Sequence, residues 1–193
     1  MRYNALVIRA AAFMLVAFTR PSTVGAILPS SRHLADAMAR AAHGAERLVD
    51  LGAGTGAITE ALCRNHPDVP TLAVEMDPAL AQLLRERFPA IEVHAAPAHD
   101  VLRELPRQPR RTALVSSLPF RSLPRRLRLR SSVAIENFLI EHPAHHLVQY
   151  TYVPRAPFDL RPGSTLCWRR LEAVWRNVPP AWVWELKSAD QRG

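Results

Sequence analysis

Lysine is nearly missing from this chain. Of 25 lysines and arginines in 193 residues, Lys187 alone is lysine, so arginine carries nearly all the positive charge behind the formal net +8. Cysteine is scarce as well. Cys63 and Cys167 stand in no metal or redox spacing. Two isolated thiols build no disulfide framework and fit a reducing compartment. The eight histidines are scattered, with one adjacent pair, His145-His146, and no H-E-x-x-H spacing. A metal site is therefore not expected. No apolar run reaches the ~20 residues that a spanning helix needs. The remaining class is globular: 48% hydrophobic content is not that of a disordered chain. The length suits one domain with a substantial core.

Glycine is sparse too, yet three of the seven fall together in Asp50-Leu51-Gly52-Ala53-Gly54-Thr55-Gly56. A short apolar run that ends in the acid Asp50 precedes them, and a helix-like pattern follows from Ala57. Strand, glycine turn and helix in that order open nucleotide-binding α/β domains. A phosphate reader would prefer G-x-G-x-x-G. The spacing here is D-x-G-x-G-x-G, the first motif of S-adenosylmethionine (SAM) methyltransferases. SAM has no phosphate to cradle. It needs room for its methionine and sulfonium, which Gly52, Gly54 and Gly56 leave, and an acid nearby, which Asp50 supplies.

The chain then alternates strand and helix patterns. Thr71 to Glu75 reads as a buried strand ending in an acid, twenty-five residues after Asp50. Glu75 is placed to accept hydrogen bonds from both ribose hydroxyls, with Met76 against the adenine. Asp77-Pro78 starts a helix to about Phe88, and Ile91 to His94 is a third strand. The stretch after it, Ala95-Ala96-Pro97-Ala98, lacks the polar residue that often bonds the adenine amino group; Asp100 is the first acid.

Thr112 to Ser116 is a fourth strand, running into Ser117-Leu118-Pro119-Phe120. Ligands meet residues at the carboxyl ends of such strands. Ser116 and Leu118 are therefore expected beside the cofactor, Ser117 at the reacting group, and Pro119, Phe120 and Arg121 toward the acceptor. Adenine-N6 methyltransferases place Asn or Asp where Ser117 stands. Ser117 offers no amide carbonyl to a base, which counts against base methylation and leaves amine methylation open. A helix is expected around Ser132 to Ile140, then a fifth strand, His146 to Tyr152. Tyr150 and Tyr152 share one face, and Tyr152, nearer the end, is the candidate proton acceptor. Two more strands turn at Pro179-Pro180, and all four tryptophans lie in this tail. Packing explains them more simply than substrate stacking.

Charge is uneven. From Arg103 to Arg130 there are nine arginines and one acid, Glu104. A field of that sign attracts the phosphates of nucleic acid or of an anionic membrane surface. Arg121, Arg125 and Arg126 are the candidate phosphate ligands. At the start, Leu6 to Phe18 is almost wholly apolar, interrupted by Arg9 and followed by Pro21. On a helix Arg2, Arg9 and Arg20 fall within about 40° of one another. Residues 1–20 thus read as a helix on a membrane interface or over the substrate mouth, or else packed on the core.

Taken together, these residues resemble a bacterial phospholipid N-methyltransferase of the soluble-fold type. The resemblance rests on Val24-Gly25-Ala26-Ile27 with Pro29-Ser30-Ser31, on the glycine turn and on Glu75. It continues through Ser116 to Pro124, Gln149 to Tyr152, and Val174-Trp175-Arg176-Asn177-Val178-Pro179-Pro180-Ala181. It implies a Rossmann-like SAM-dependent methyltransferase fold. That is an α/β domain over 21–193 with a mostly parallel seven-stranded sheet and an added N-terminal helix. It also implies SAM as cofactor and methylation of a phospholipid amine such as that of phosphatidylethanolamine. The enzyme would be cytoplasmic and peripheral to the cytoplasmic membrane, with an anionic lipid surface as partner. The family is similar in turn to rRNA adenine dimethyltransferases, which carry an extra C-terminal helical domain. Three alternatives remain at this level: a nucleic-acid adenine methyltransferase, a small-molecule N-methyltransferase, and a SAM-fold protein that only binds membrane.

Overall fold

The computed structural model describes residues 29–105 and 110–189. The expected helix over 1–20, the Val24 to Ile27 segment and Arg107 lie outside them. Twelve elements follow in order. They are α1 (Pro29–Ala41), β1 (Arg47–Leu51), α2 (Ala57–Asn65), β2 (Thr71–Val74), α3 (Pro78–Arg87) and β3 (Glu92–His94). Then come α4 (Ala98–Glu104), β4 (Thr112–Ser116), α5 (Arg125–Ile140), β5 (His146–Thr151), β6 (Leu166–Val174) and β7 (Ala181–Ser188).

The seven strands form one sheet in the order β3-β2-β1-β4-β5-β7-β6. The first five pair in parallel, while β7 runs antiparallel to both β5 and β6. The α/β fold with a mostly parallel seven-stranded sheet is thus as expected. Apolar side chains on both faces explain why β1, β2 and β4 read as continuous hydrophobic runs. On one face Leu48, Ala113, Val115 and Val148 pack with Met38 of α1 and Leu62 of α2. On the other, Val49, Leu51, Leu114 and Leu147 pack with Leu102 of α4 and with Ile135 and Leu139 of α5. No helix among the described residues is long and apolar enough to cross a membrane.

Chain order along the sheet reverses between β1 and β4. Their carboxyl ends therefore diverge into loops on opposite sides, and a crevice opens between them. Leu51 pairs with Ser116 at that edge.

Two local expectations need correction. Helix α5 begins at Arg125, not near Ser132. Pro124 directly precedes the first turn, and Arg and Leu are good helix formers. Its buried residues lie from Ser131 onward, so the arginine turns are solvated and hide the apolar period. Strand β5 ends at Thr151, leaving Tyr152 one residue past the strand.

Candidate active site

The glycine turn lies at the carboxyl end of β1. Gly52, Gly54 and Gly56 all have positive φ, which only glycine adopts without strain. At Gly56, the N-cap of α2, a Cβ would lie 2.5 Å from the Phe88 ring and 2.9 Å from Leu84. At Gly52 it would lie 3.0 Å from the Leu118 side chain, so the β4 loop packs directly over the turn. The turn is also held from outside. Arg87 donates to the Thr55 carbonyl and reaches Glu60 at 3.2 Å.

Asp50 is fully buried. Its Oδ2 accepts a 2.6 Å hydrogen bond from the Thr59 hydroxyl, and its Oδ1 has no partner. Burial pushes its carboxyl from 3.8 up to about 7, against the Thr59 hydrogen bond and with a smaller push from the Glu75 charge. The role of Thr59 is not legible in the sequence. The available signal was a hydroxyl in the first turn of the helix behind the acid, three residues after Gly56. Glu75, at the tip of β2, is anchored differently. Its Oε2 accepts from the Gly54 N–H at 2.8 Å and its Oε1 from the Asp77 N–H at 3.0 Å. Glu75 thus ties the glycine turn to the next loop. Each oxygen keeps a second lone pair. Met76 beside it is 61% exposed.

Across the crevice, the Ser117 N–H donates to the Leu51 carbonyl at 2.9 Å, and the Leu118 N–H to the Ser116 hydroxyl at 3.2 Å. Ser117 and Leu118 are half-buried and Pro119 is exposed. The Leu118 carbonyl accepts from the Phe120 N–H at 2.8 Å and from Gln149 Nε2 at 3.3 Å. Gln149 also donates to the Tyr150 carbonyl at 3.0 Å, which orients its amide and leaves Oε1 buried and unpartnered. Gln149 sits opposite Ser116 in the sheet, a placement visible only once β4 and β5 are paired.

Phe120 corrects an expectation. It is 2% exposed and packs against Phe158 at 4.6 Å between ring centroids, with Trp168 beyond at 5.1 Å. The ring anchors the loop and is not offered to an acceptor. Arg121, Arg125 and Arg126 are exposed on the same rim, the last two in the first turn of α5.

Tyr150 and Tyr152 lie on the α1–α2 face of the sheet, their rings 5.4 Å apart and edge-on. The Tyr150 and Tyr152 side chains act on one another, and Asn177 acts on Tyr152. Removal from water pushes the Tyr150 phenol well above its usual 10, with further pushes from Tyr152 and the Asp50 charge. Tyr152 is raised as well, again mainly by burial. Both are therefore neutral phenols near neutral pH. Tyr152 is poorly suited to accept a proton, against its role as candidate base.

The residues fit the cofactor that the motif implies. A buried unpartnered carboxylate oxygen, left-handed glycines at a strand end and a carboxylate on the adjacent strand converge at the switch point. Among the described residues no group of three His, Cys, Asp or Glu side chains is placed to hold a metal ion.

No family model matches the chain. It is 35% identical over 118 residues to an ornithine lipid N-methyltransferase of Singulisphaera acidiphila, covering 57% of this chain and 62% of that one. It is 37% identical over 75 residues to a probable ribosomal RNA small subunit methyltransferase A of Methanosarcina acetivorans, covering 39% of this chain and 26% of the relative. Both matches thus span less than two thirds of the relatives' length. Among solved structures, a TehB-like SAM-dependent methyltransferase from Corynebacterium glutamicum matches with a TM-score of 0.58 at 16% identity, covering 93% of this chain and 98% of that one. The chain has the Rossmann-like fold of SAM-dependent methyltransferases.

Proposed function

We propose that the protein is a SAM-dependent N-methyltransferase whose acceptor is the amine of a membrane lipid head group. The observation that carries this is the similarity to an ornithine lipid N-methyltransferase. The exposed arginines beside the crevice support it.

Asp50, the glycine turn, Glu75 and Met76 would hold the cofactor, with Ser116 and Leu118 closing over it. When bound, SAM supplies a methyl group already activated on a sulfonium. The protein's share is then alignment and exclusion of water. The loop from Ser117 to Pro119 is fixed from three sides, by Leu51, Ser116 and Gln149, so it faces the crevice with a rigid backbone. An acceptor amine with a pKa near that of lysine, ~10, is mostly protonated at neutral pH. With Tyr152 a neutral phenol, water takes that proton. Arg121, Arg125 and Arg126 would hold the lipid phosphate or carboxylate by forked hydrogen bonds. The N-terminus of α5 adds partial positive charge at the same place.

The test is incubation of the purified chain with labelled SAM and vesicles that contain phosphatidylethanolamine or ornithine lipid. Label in the lipid fraction is expected. Absence of transfer to every aminolipid overturns the proposal. A second reading, methylation of RNA, is favoured by the match to the probable ribosomal RNA methyltransferase and by the same arginines. Label in RNA and none in lipid would establish it.

A further inference from the structure

Three of the four tryptophans behave as packing residues. Trp168 donates to the Phe158 carbonyl at 3.1 Å and Trp184 to the Thr151 hydroxyl at 2.9 Å. These two and Trp182 are half-buried. Trp175 is different. It is 71% exposed, and so is Val178, three residues on. These are the two most exposed large hydrophobic side chains among the described residues. Both sit on the turn between β6 and β7, with the exposed Arg176 between them.

The turn is well anchored. Asn177 is buried beneath it and donates to the Pro179 carbonyl at 2.7 Å. The same side chain acts on Tyr152 just past the end of β5. Trp175 also meets Trp182 edge-on at 6.2 Å. Polar contacts inside and stiff prolines therefore hold two apolar side chains outward.

Location gives the exposure a direction. Strand β7 is antiparallel to both of its neighbours, so β6 runs the same way as β1 to β5. The β6–β7 turn consequently emerges on the rim that carries the glycine turn, the Ser117 loop and the first turn of α5. That rim is basic, with Arg121, Arg125, Arg126 and Arg176 all exposed. A tip of two apolar residues is too small for a stable protein interface, which buries at least about 1,000 Å². It suffices for shallow insertion, where indole belongs at the boundary of water and acyl chain. Flanking arginines favour an anionic surface.

We propose that the β6–β7 turn is a membrane anchor. It seats Trp175 and Val178 at the headgroup–acyl boundary of an anionic bilayer and sets Arg176 on lipid phosphate. The carboxyl rim of the sheet then faces the lipid. The orientation gains its purpose from the lipid-methyltransferase reading above, but the anchor is tested without it.

The experiment is sedimentation with vesicles of equal phosphatidylethanolamine and phosphatidylglycerol. The double variant Trp175→Ser, Val178→Ser should bind them about tenfold to a hundredfold more weakly than the parent. Its unfolding midpoint and its SAM affinity by calorimetry should stay unchanged, which separates anchoring from folding. In a second measurement, lipids brominated on the acyl chain should quench the parent's tryptophan emission, and Trp175→Phe should remove that quenching. Equal vesicle affinity of parent and double variant, a parent that binds no vesicles, or quenching that survives Trp175→Phe each overturns the anchor. So does a loss of self-association or of RNA binding in the double variant without a change on vesicles. If vesicle binding depends on Trp175 while no aminolipid is methylated, the anchor stands and the substrate reading fails. If lipid is methylated and the double variant binds vesicles normally, the reverse holds.

Discussion

The two walls of the crevice are built on opposite plans. On the β1–β2 side the ligand-facing groups are backbone and buried carboxylate. The glycine turn is clamped by Phe88, Leu84, Leu118 and Arg87, and Glu75 is tied to two backbone N–H groups. On the β4–β5 side, rigid backbone supports a rim of exposed side chains: Pro119, Arg121, Arg125 and Arg126. The first wall is specified by local geometry, so substitutions there should act on folding and cofactor affinity together. The second is specified by surface chemistry, so substitutions should leave the fold intact and alter what the protein meets.

Phe120 gives the sharpest way to break that contrast, because it belongs to the second wall but is buried like the first. Phe120→Ala removes a ring packed on Phe158 within the core around β4, β5 and α5. A loss of about 3–5 kcal/mol is expected, seen as a fall of roughly 10 °C or more in the unfolding midpoint. An unchanged midpoint with a raised KM for the acceptor would instead return Phe120 to the acceptor surface.

Gly56→Ala tests the first wall. The new Cβ would sit 2.5 Å from Phe88, at a φ of +90°. Strain and overpacking together should destabilise by about 2–4 kcal/mol. The neighbouring clamp sharpens the result: Gly56→Ala combined with Phe88→Leu relieves the overlap and should recover part of the loss.

Asp50 offers a pH-dependent version. Its native carboxyl titrates at about 7 against 3.8 for the free group, because it is buried. The native state thus binds this proton more tightly than the unfolded state. The resulting stability is complete below 3.8 and is lost as pH rises through about 7. Asp50→Asn keeps the shape, retains an acceptor for Thr59 and removes the buried charge. It should raise stability by about 1–2 kcal/mol at pH 8, less than the full linkage because the new amide N–H groups lack partners. The gain should vanish near pH 4, while SAM affinity falls at both. Urea unfolding at the two pH values, with calorimetry, checks it. Equal shifts at both pH values would exclude a buried ionisable carboxyl.

The same division governs what could be read from the residues alone. Strand β4 begins and ends where its apolar run does, and α2 and α3 start at the glycine turn and at Asp77-Pro78. Those signals are local: a period, a cap, a proline. The partners of Asp50 and Gln149 were not legible, although Thr59 lies nine residues from Asp50, because a bond depends on which way a helix face turns. The sequence points Phe120 outward and Trp175 inward, the reverse of their exposure in the fold. Each is an aromatic beside a proline or an arginine, and nothing in that neighbourhood says whether the ring turns inward. That is decided by Phe158 and by Asn177, which meet these loops only through the packing of the sheet.

The smallest effect on stability should come from the arginines of α5. Arg125 and Arg126 are exposed, and they open a helix whose first turn carries no acid. Cations there oppose the partial charge of the helix N-terminus. Arg125→Gln with Arg126→Gln should therefore leave stability within about 0.5 kcal/mol of the parent or raise it slightly. Vesicle affinity should move the other way. Each arginine near an anionic surface contributes about 1 kcal/mol, so the double variant should bind phosphatidylglycerol vesicles roughly tenfold to thirtyfold more weakly at low salt. Raising salt should narrow the gap, since the interaction is screened within a Debye length. A gap that persists in high salt would mean that these side chains pack against the lipid or an acceptor and do more than attract phosphate. Then the second wall would be built to fit a shape, as the first wall is, and the contrast between them would fail.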